Sequence, residues 1–248
     1  MSSTLVAVGP RLAIAVVLLT LIGAAASAIG RIGVDRRVVT AVVRAVVQLA
    51  AVSFIITEVV DSFPLTTAFI AVMYTAAARV SARRMTGGRS GWWSAAPITA
   101  GSLPVVIGLL ASGLVPLNGL AVIPVTGILI GGAMTATSLA GRRALDDLRT
   151  RRGEVEAALS LGMTDRDAAL EICRPAVSQA LVPALDQTRT VGLVTLPGAF
   201  VGMLLGGASP IAAGAVQLFV LVALLAVQTI AVALTTELIA RGRIHDAG

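Results

Sequence analysis

Ala121-Val-Ile-Pro-Val-Thr-Gly-Ile-Leu-Ile-Gly-Gly-Ala-Met-Thr-Ala-Thr-Ser-Leu-Ala140 runs for twenty residues without a charge. As a helix it would rise about 30 Å, enough to cross the hydrocarbon core of a bilayer. Gly141-Arg-Arg143 follows, so the apolar run stops at a basic boundary. Comparable runs lie on either side: Arg11–Ile29, Val38–Val60, Pro64–Val80 and Trp92–Val115 before it, Val182–Gly207 and Ile211–Ile239 after it. Strands of a membrane barrel alternate apolar and polar residues; these runs do not. The expected fold is all-α, a polytopic helical membrane protein with about seven transmembrane helices.

Composition agrees. Of 248 residues, 56% are hydrophobic and 13% charged, with a mean hydropathy of +0.93. A soluble domain carries roughly 25% charged residues. All 19 basic residues are Arg, and the net charge is +6. Such basicity would suit nucleic acid, but the Arg positions follow the apolar runs, so no nucleic-acid partner is expected. The single Cys173 permits no internal disulfide and lacks metal-ligand spacing. The single His245 lies in the polar tail. Neither a His/Cys metal site nor a Ser-His catalytic group can be assembled from these residues, and no enzyme activity is expected of the chain itself. The first apolar run is span-length and its Ala-rich end leads into Arg31, so no cleavable signal is expected.

The connectors sort by charge. Arg31, Arg36 and Arg37 follow the first run; Arg79, Arg83, Arg84 and Arg89 follow the third. Arg142, Arg143, Arg149, Arg151, Arg152, Arg166 and Arg174 follow the fifth, and Arg241 and Arg243 the last. Alternate loops thus hold sixteen of the nineteen Arg. The opposite connectors, Asp61–Phe63, Pro116–Leu120 and Ala208–Pro210, hold none. The positive-inside rule assigns the Arg-bearing loops to the cytoplasm. The N-terminus is then outside, the C-terminus cytoplasmic, and the number of spans odd. The chain is expected to be one transmembrane domain over residues 1–248, with a long cytoplasmic loop at about 141–181.

That loop is built like a lever. Leu145–Ser160 is rich in helix formers, Gly162 interrupts it, and Thr164 with Asp167 makes a capping-box-like start to a second helix. Ala157 and Ala158 let another surface approach the backbone, while Leu159 and Leu161 offer apolar anchors. Gly162 can take a left-handed cap that costs other residues energy. The residues fit a socket on a partner protein; they also fit an amphipathic helix lying on the membrane surface.

The spacing Glu156-Ala-Ala-(three residues)-Gly162 resembles the coupling motif by which ABC-transporter permeases dock onto their ATPase subunits. The resemblance widens across the chain. Arg44-Ala-Val-Val-Gln-Leu49, Ile123-Pro-Val-Thr-Gly127, Glu154-Val-Glu-Ala-Ala-Leu-Ser-Leu-Gly162, Val191-Gly-Leu-Val-Thr-Leu-Pro-Gly198 and Leu205-Gly-Gly-Ala-Ser-Pro210 together resemble the FetB family of ABC permeases. That family includes bacterial iron-export and plant aluminium-tolerance permeases. The resemblance implies a homodimeric permease in the plasma (cytoplasmic) membrane, exporting iron, another metal or a small solute. It further implies an ABC-type ATP-binding subunit docked on residues 154–170, with ATP and magnesium on that partner and no cofactor on this chain. A chain without Lys cannot form a Walker A loop, so any ATPase is another chain. Where the family carries Met and Asn, this chain has Ile128 and Gly132. Where it carries Met-Met-Thr-Gly-Gln, this chain has Ala199-Phe-Val-Gly-Met203. Soft sulfur and amide groups are thus largely replaced by apolar ones, and no metal ligand is assigned.

Several residues within the spans have candidate roles. Arg44, Gln48, Ala51, Ile55 and Glu58 follow 4-3-4-3 spacing and share one face of span two. An intramembrane charge faces a partner or a water-filled path. Arg44, Gln48, Asp186 and Arg189 are therefore candidates for the translocation path or for structural ion pairs, with Asp186 pairing either Arg189 or Arg44. Gly127 and Gly131, and Gly198, Gly202 and Gly206, recur every four residues. Such stripes suit close helix packing inside the chain, a dimer seam or a moving gate. Pro197-Gly198 weakens span six and makes a hinge or broken helix there, and Pro97 and Pro104 can bend span four. Met73, Met134 and Met203 suit core filling. Trp92 and Trp93 beside Arg89 suit an interfacial anchor. An alternative function uses no ATPase: an ion-coupled secondary transporter with Arg44, Asp186 and Glu58 as its charged relay. A membrane scaffold whose long loop docks a regulator is a third.

Overall fold

The computed structural model describes residues 9–87 and 93–245, among which every regular element is helical and the sole extended pairing is an isolated bridge between Val191 and Thr195. The chain divides into two compact units, residues 1–59 and 60–248. Among the described residues five helices are long and apolar enough to cross a membrane, which bears out the all-helical membrane fold. Arg89 and Trp92 lie outside the described residues.

The first unit is a helical hairpin of α1 (Pro10–Ile29) and α2 (Asp35–Val60, whose last residue crosses the unit boundary). Arg31 takes a left-handed φ of 51° at the turn, and Ser27 Oγ accepts from Val34 N–H at 3.1 Å. Apolar side chains stand exposed along both helices, including Leu19, Leu49 and Phe54. The surface of α1 is apolar on nearly every side, and that of α2 is apolar beside its polar stripe; such surfaces match lipid rather than water.

The second unit contains α3 (Phe63–Thr86), α4 (Ala95–Ala111), α5 (Gly119–Thr150), α6 (Arg152–Ser160), α7 (Asp165–Val177), a 3-10 turn at Ser178–Leu181, α8 (Val182–Thr190), α9 (Gly198–Leu205) and α10 (Pro210–Ala240). The long α5 packs against α3, α4, α7 and α10. Its core face places Leu129, Ile130 and Ala133 among Ile98 of α4 and Leu224, Val227 and Ala231 of α10. Small residues set the spacing. A Cβ at Gly101 would lie 2.8 Å from the Val227 carbonyl oxygen, and one at Gly132 would lie 2.7 Å from Leu224 Cδ2. Hydroxyls join helices where they are buried: Tyr74 to Ser102 at 2.9 Å, and Ser138 to Ser81 at 3.1 Å. Dispersion and such bonds hold helices together in lipid, where exclusion from water supplies little. The Arg243 guanidinium stands 5.3 Å from the Trp93 ring centroid, joining the end of α10 to the approach to α4.

Three spans differ from expectation. The apolar run Val182–Gly207 is not one helix: α8 and α9, of 9 and 8 residues, flank a non-helical Val191–Pro197. Span four is a helix of 17 residues, about 25 Å long and so shorter than a bilayer core. Its Pro97 falls in the first turn, where proline is tolerated, whereas Pro104 is internal. The helix of span five runs past Ala140: α5 is 32 residues long and ends at Thr150. The basic residues after Ala140 end the apolar surface without ending the helix, because Ala144, Leu145 and Leu148 keep an apolar face on the packed side. Leu145–Ser160 is consequently two helices, parted at Arg151 with φ −106° and ψ 29°.

Candidate functional site

The segment after α5 is a helix–turn–helix with one bare side. No residue of α6 is buried. Glu156 and Ala157 are exposed and Ala158 half-buried, while Leu159 and Leu161 are 37% and 86% exposed. Gly162 closes α6 with φ 89°. Its N–H donates to Leu159 C=O at 2.9 Å, and Met163 N–H donates to Ala158 C=O at 3.2 Å. This pair of bonds is a Schellman cap, whose left-handed position favours glycine. Thr164 then caps α7: its hydroxyl accepts from Asp167 N–H at 3.2 Å and donates to the Asp167 carboxylate at 2.8 Å. The turn expected at Gly162 and the helix start expected at Thr164 are both present.

Beneath the exposed α6, α7 is anchored. Ala168, Ala169, Leu170, Ile172, Cys173 and Val177 are buried, packing on α5 and α10. Burial pushes the Cys173 thiol up to about 11, with the nearby Asp147 carboxylate adding to the rise. Arg151 sits where α5, α6 and α7 meet. Its guanidinium donates to both oxygens of Glu154 and to Ile172 C=O at 3.3 Å, and lies 4.0 Å from Asp147. Hydrogen bonding to Arg151 holds the Glu154 carboxyl below the usual carboxylate range. Arg166, in the first turn of α7, makes a bidentate pair with Glu237 of α10 at 2.7 and 2.8 Å. Glu237 also pairs with Arg241. Arg151, Arg166 and Glu237 were not singled out from sequence. One signal did exist, since Glu237 is the sole charge in the apolar run Ile211–Ile239.

The other candidate residues lie on other elements. Arg44 and Gln48 lie exposed on α2, in the first unit. Asp186 and Arg189 face each other along α8 at 4.0 Å, both largely exposed. Gly127 meets Met73 of α3, as close packing requires. Gly131, Gly198 and Gly202 have nothing within 4 Å of where a Cβ would stand, and Gly206 meets only carbonyls of its own helix. The Gly198–Gly206 stripe is therefore not a packing seam among the described residues. Pro197 caps α9 on its N-terminal side. The broken stretch before it turns tightly: Gly192 has φ 81°, and its N–H donates to Thr195 C=O at 2.9 Å. Leu193 and Val194 project outward, 90% and 77% exposed. Beside the break a cavity of about 340 Å³ reaches Gln217 of α10. Among the described residues no three His, Cys, Asp or Glu side chains cluster to hold a metal.

Comparison with known proteins gives a consistent result. The model of the Uncharacterised protein family (UPF0014) matches residues 10–244. The chain is 33% identical over 215 residues to UPF0014 membrane protein STAR2 of Oryza sativa subsp. japonica, covering 84% of this chain and 74% of the relative. It is 31% identical over 217 residues to Protein ALUMINUM SENSITIVE 3 of Arabidopsis thaliana, covering 86% and 78%. It is 28% identical over 193 residues to Probable iron export permease protein FetB of Escherichia coli (strain K12), covering 77% and 74%. No solved structure matches significantly.

Proposed function

Because this chain belongs to the UPF0014 family of multi-pass membrane proteins, we propose that it is the membrane-spanning permease subunit of an ABC transporter. The reading takes the chain as one transmembrane permease domain in the plasma membrane, with the N-terminus outside and the basic loops cytoplasmic. Two copies form the path, and a separate ATP-binding subunit docks on residues 154–170, carrying the ATP and magnesium. The exported cargo is iron, as the name of the Escherichia coli relative suggests, or else another metal or a small solute.

The observation that carries this reading is the mechanical contrast within the loop. An exposed α6, ended by Leu161 and Gly162, rides on a buried α7 that is ion-paired to α10. An unbroken α5 leads from the apolar core into this pair. Force applied to α6 by a partner would reach α5 and α10 directly. This arrangement supports a docking lever over a helix that merely floats on the membrane surface, because α7 buries its apolar face in protein.

The test is co-purification in detergent with candidate ATP-binding subunits, using the full chain beside Gly162→Val and Arg166→Ala. The full chain is expected to capture an ATPase. Gly162→Val, which places a β-branched residue at φ 89°, is expected to uncouple hydrolysis from transport while membrane insertion persists. A folded chain that captures no ATPase, and whose transport follows an ion gradient without ATP, would establish the secondary-transporter reading instead.

A further inference from the structure

Gln217 of α10 is 5% exposed, and its side-chain carbonyl oxygen has no hydrogen-bond partner. A buried amide oxygen left without a donor is costly, and native proteins seldom tolerate one. Two other buried hydroxyl oxygens, Thr126 and Thr137 of α5, are also unpartnered. Thr126 borders only a narrow gap with no room for a water. Gln217 instead stands in the wall of the cavity of about 340 Å³ beside the broken helix.

The cavity is lined by the break. Val191, Gly192, Leu196 and Pro197 of the non-helical stretch line it on one side, and Gly214, Gln217 and Leu218 of α10 on the other. Phe200 supplies an aromatic wall, and Gly214 leaves the space beside it open: a Cβ there would stand 4.0 Å from Phe200 Cε2. Among the described residues, no charged, His, Cys or Met side chain lines it. Terminal amide torsions are soft, so a small rotation can turn the Gln217 oxygen to the void.

We propose that this cavity binds a small uncharged molecule with an apolar body and one O–H or N–H donor, which the Gln217 oxygen accepts. The volume suits such a ligand. A bare transition-metal ion requires imidazole, thiolate, thioether or carboxylate ligands, and the walls provide none. Binding here needs no ATPase, so the proposal goes beyond the permease reading and can fail or succeed without it.

The test uses the full chain in nanodiscs, with fluorescence titration of 2-naphthol and of 2-methoxynaphthalene, which keeps the ring system but has no donor. Empty nanodiscs give the lipid-partition background. Wild type is expected to bind 2-naphthol at least about tenfold more tightly, because the donor-free probe leaves the amide unpaired. Gln217→Leu should abolish that preference while still binding 2-methoxynaphthalene, and Phe200→Ala should weaken both probes. Ferrous ion alone, under anaerobic conditions, should displace neither. Should Gln217→Leu fail to fold, Gly214→Leu serves instead, filling the cavity and removing binding of both probes. Equal affinity for the two probes in wild type, no binding of either, or displacement by ferrous ion would each overturn the proposal.

Discussion

Spans five and six read alike in sequence and fold differently. Ala121–Ala140 contains Pro124 and three glycines, and Val182–Gly207 contains two prolines and five glycines; both are apolar and span-length. The first lies within an uninterrupted helix of 32 residues, while the second breaks over Val191–Pro197. The difference is in what surrounds them. The α5 glycines at 127 and 132 are met by Met73, Leu224 and Gln228 from neighbouring helices. Gly198 and Gly202 of α9 are met by nothing. Glycine weakens a helix by about 1 kcal/mol relative to Ala, and packing from three sides repays that in α5. The α8–α9 segment lacks such support, so its Gly192 and Pro197 act as local chemistry directs.

The contrast is sharpest in accessibility. Cys173 is buried where α7 meets α5, with its thiol pushed up to about 11. At pH 7 roughly one thiol in 10⁴ would be ionised there, against a few per cent for an exposed cysteine. A Leu193→Cys substitution on a Cys173→Ser background probes the break, where the side chain is 90% exposed. Non-helical backbone at membrane depth is tolerated only against protein or water. A water-soluble maleimide is therefore expected to label Leu193→Cys at least about a hundredfold faster than native Cys173. Raising the pH toward 11 should accelerate Cys173, since the raised value delays thiolate formation until then. Slow labelling at both positions would mean that protein, such as a second copy, covers the break.

The glycines test packing directly. Gly101→Val and Gly132→Val each drive a side chain into a neighbour on α10, at 2.8 and 2.7 Å from the nearest atom. Each is expected to destabilise the chain by about 1–3 kcal/mol. Gly198→Ala and Gly202→Ala meet open space and should be neutral or stabilising by up to about 1 kcal/mol. Thermal unfolding in detergent separates the two sets. A Gly202→Ala cost equal to that of Gly132→Val would show that the stripe is packed by a partner in the assembly.

How much of this was legible follows from the range of each interaction. Apolar run length is a local property, and it located α1, α2, α3, α5 and α10. The turn at Gly162 and the Thr164 cap depend on neighbours within five residues, and both appear as read. Charge at Arg142 and Arg143 was a poor guide to the end of α5, because the helix continues on an apolar face that only α7 and α10 complete. The break in span six was signalled at Pro197-Gly198 but begins at Val191, where no single residue forbids a helix. The Arg166–Glu237 pair joins residues 71 apart, beyond any sequence spacing rule. Periodicity identified the glycine stripes but said nothing of what stood opposite them.

The smallest effect expected concerns Glu154, at the start of α6. Arg151 lowers its carboxyl by hydrogen bonding to it, with burial opposing and the Arg151 charge assisting. A depressed folded-state value means that the carboxylate stabilises the folded junction at any pH above the unfolded-state value, and that this contribution fades as pH falls through the folded one. Between pH 6 and 8 the clamp is therefore constant, and both groups are solvent-facing, which screens it further. Glu154→Gln should leave the unfolding midpoint of the whole chain nearly unchanged at neutral pH. It should nonetheless raise amide exchange in the first turn of α6, because Arg151 then loses its ionic hold on that turn while α7 remains packed. Acidifying wild type below the usual carboxylate range should reproduce the same local loosening, and Glu154→Gln should abolish that pH dependence. Exchange that rises equally in α6 and α7 would show that the two helices open as one unit, and that the exposed helix is no looser than the buried one beneath it.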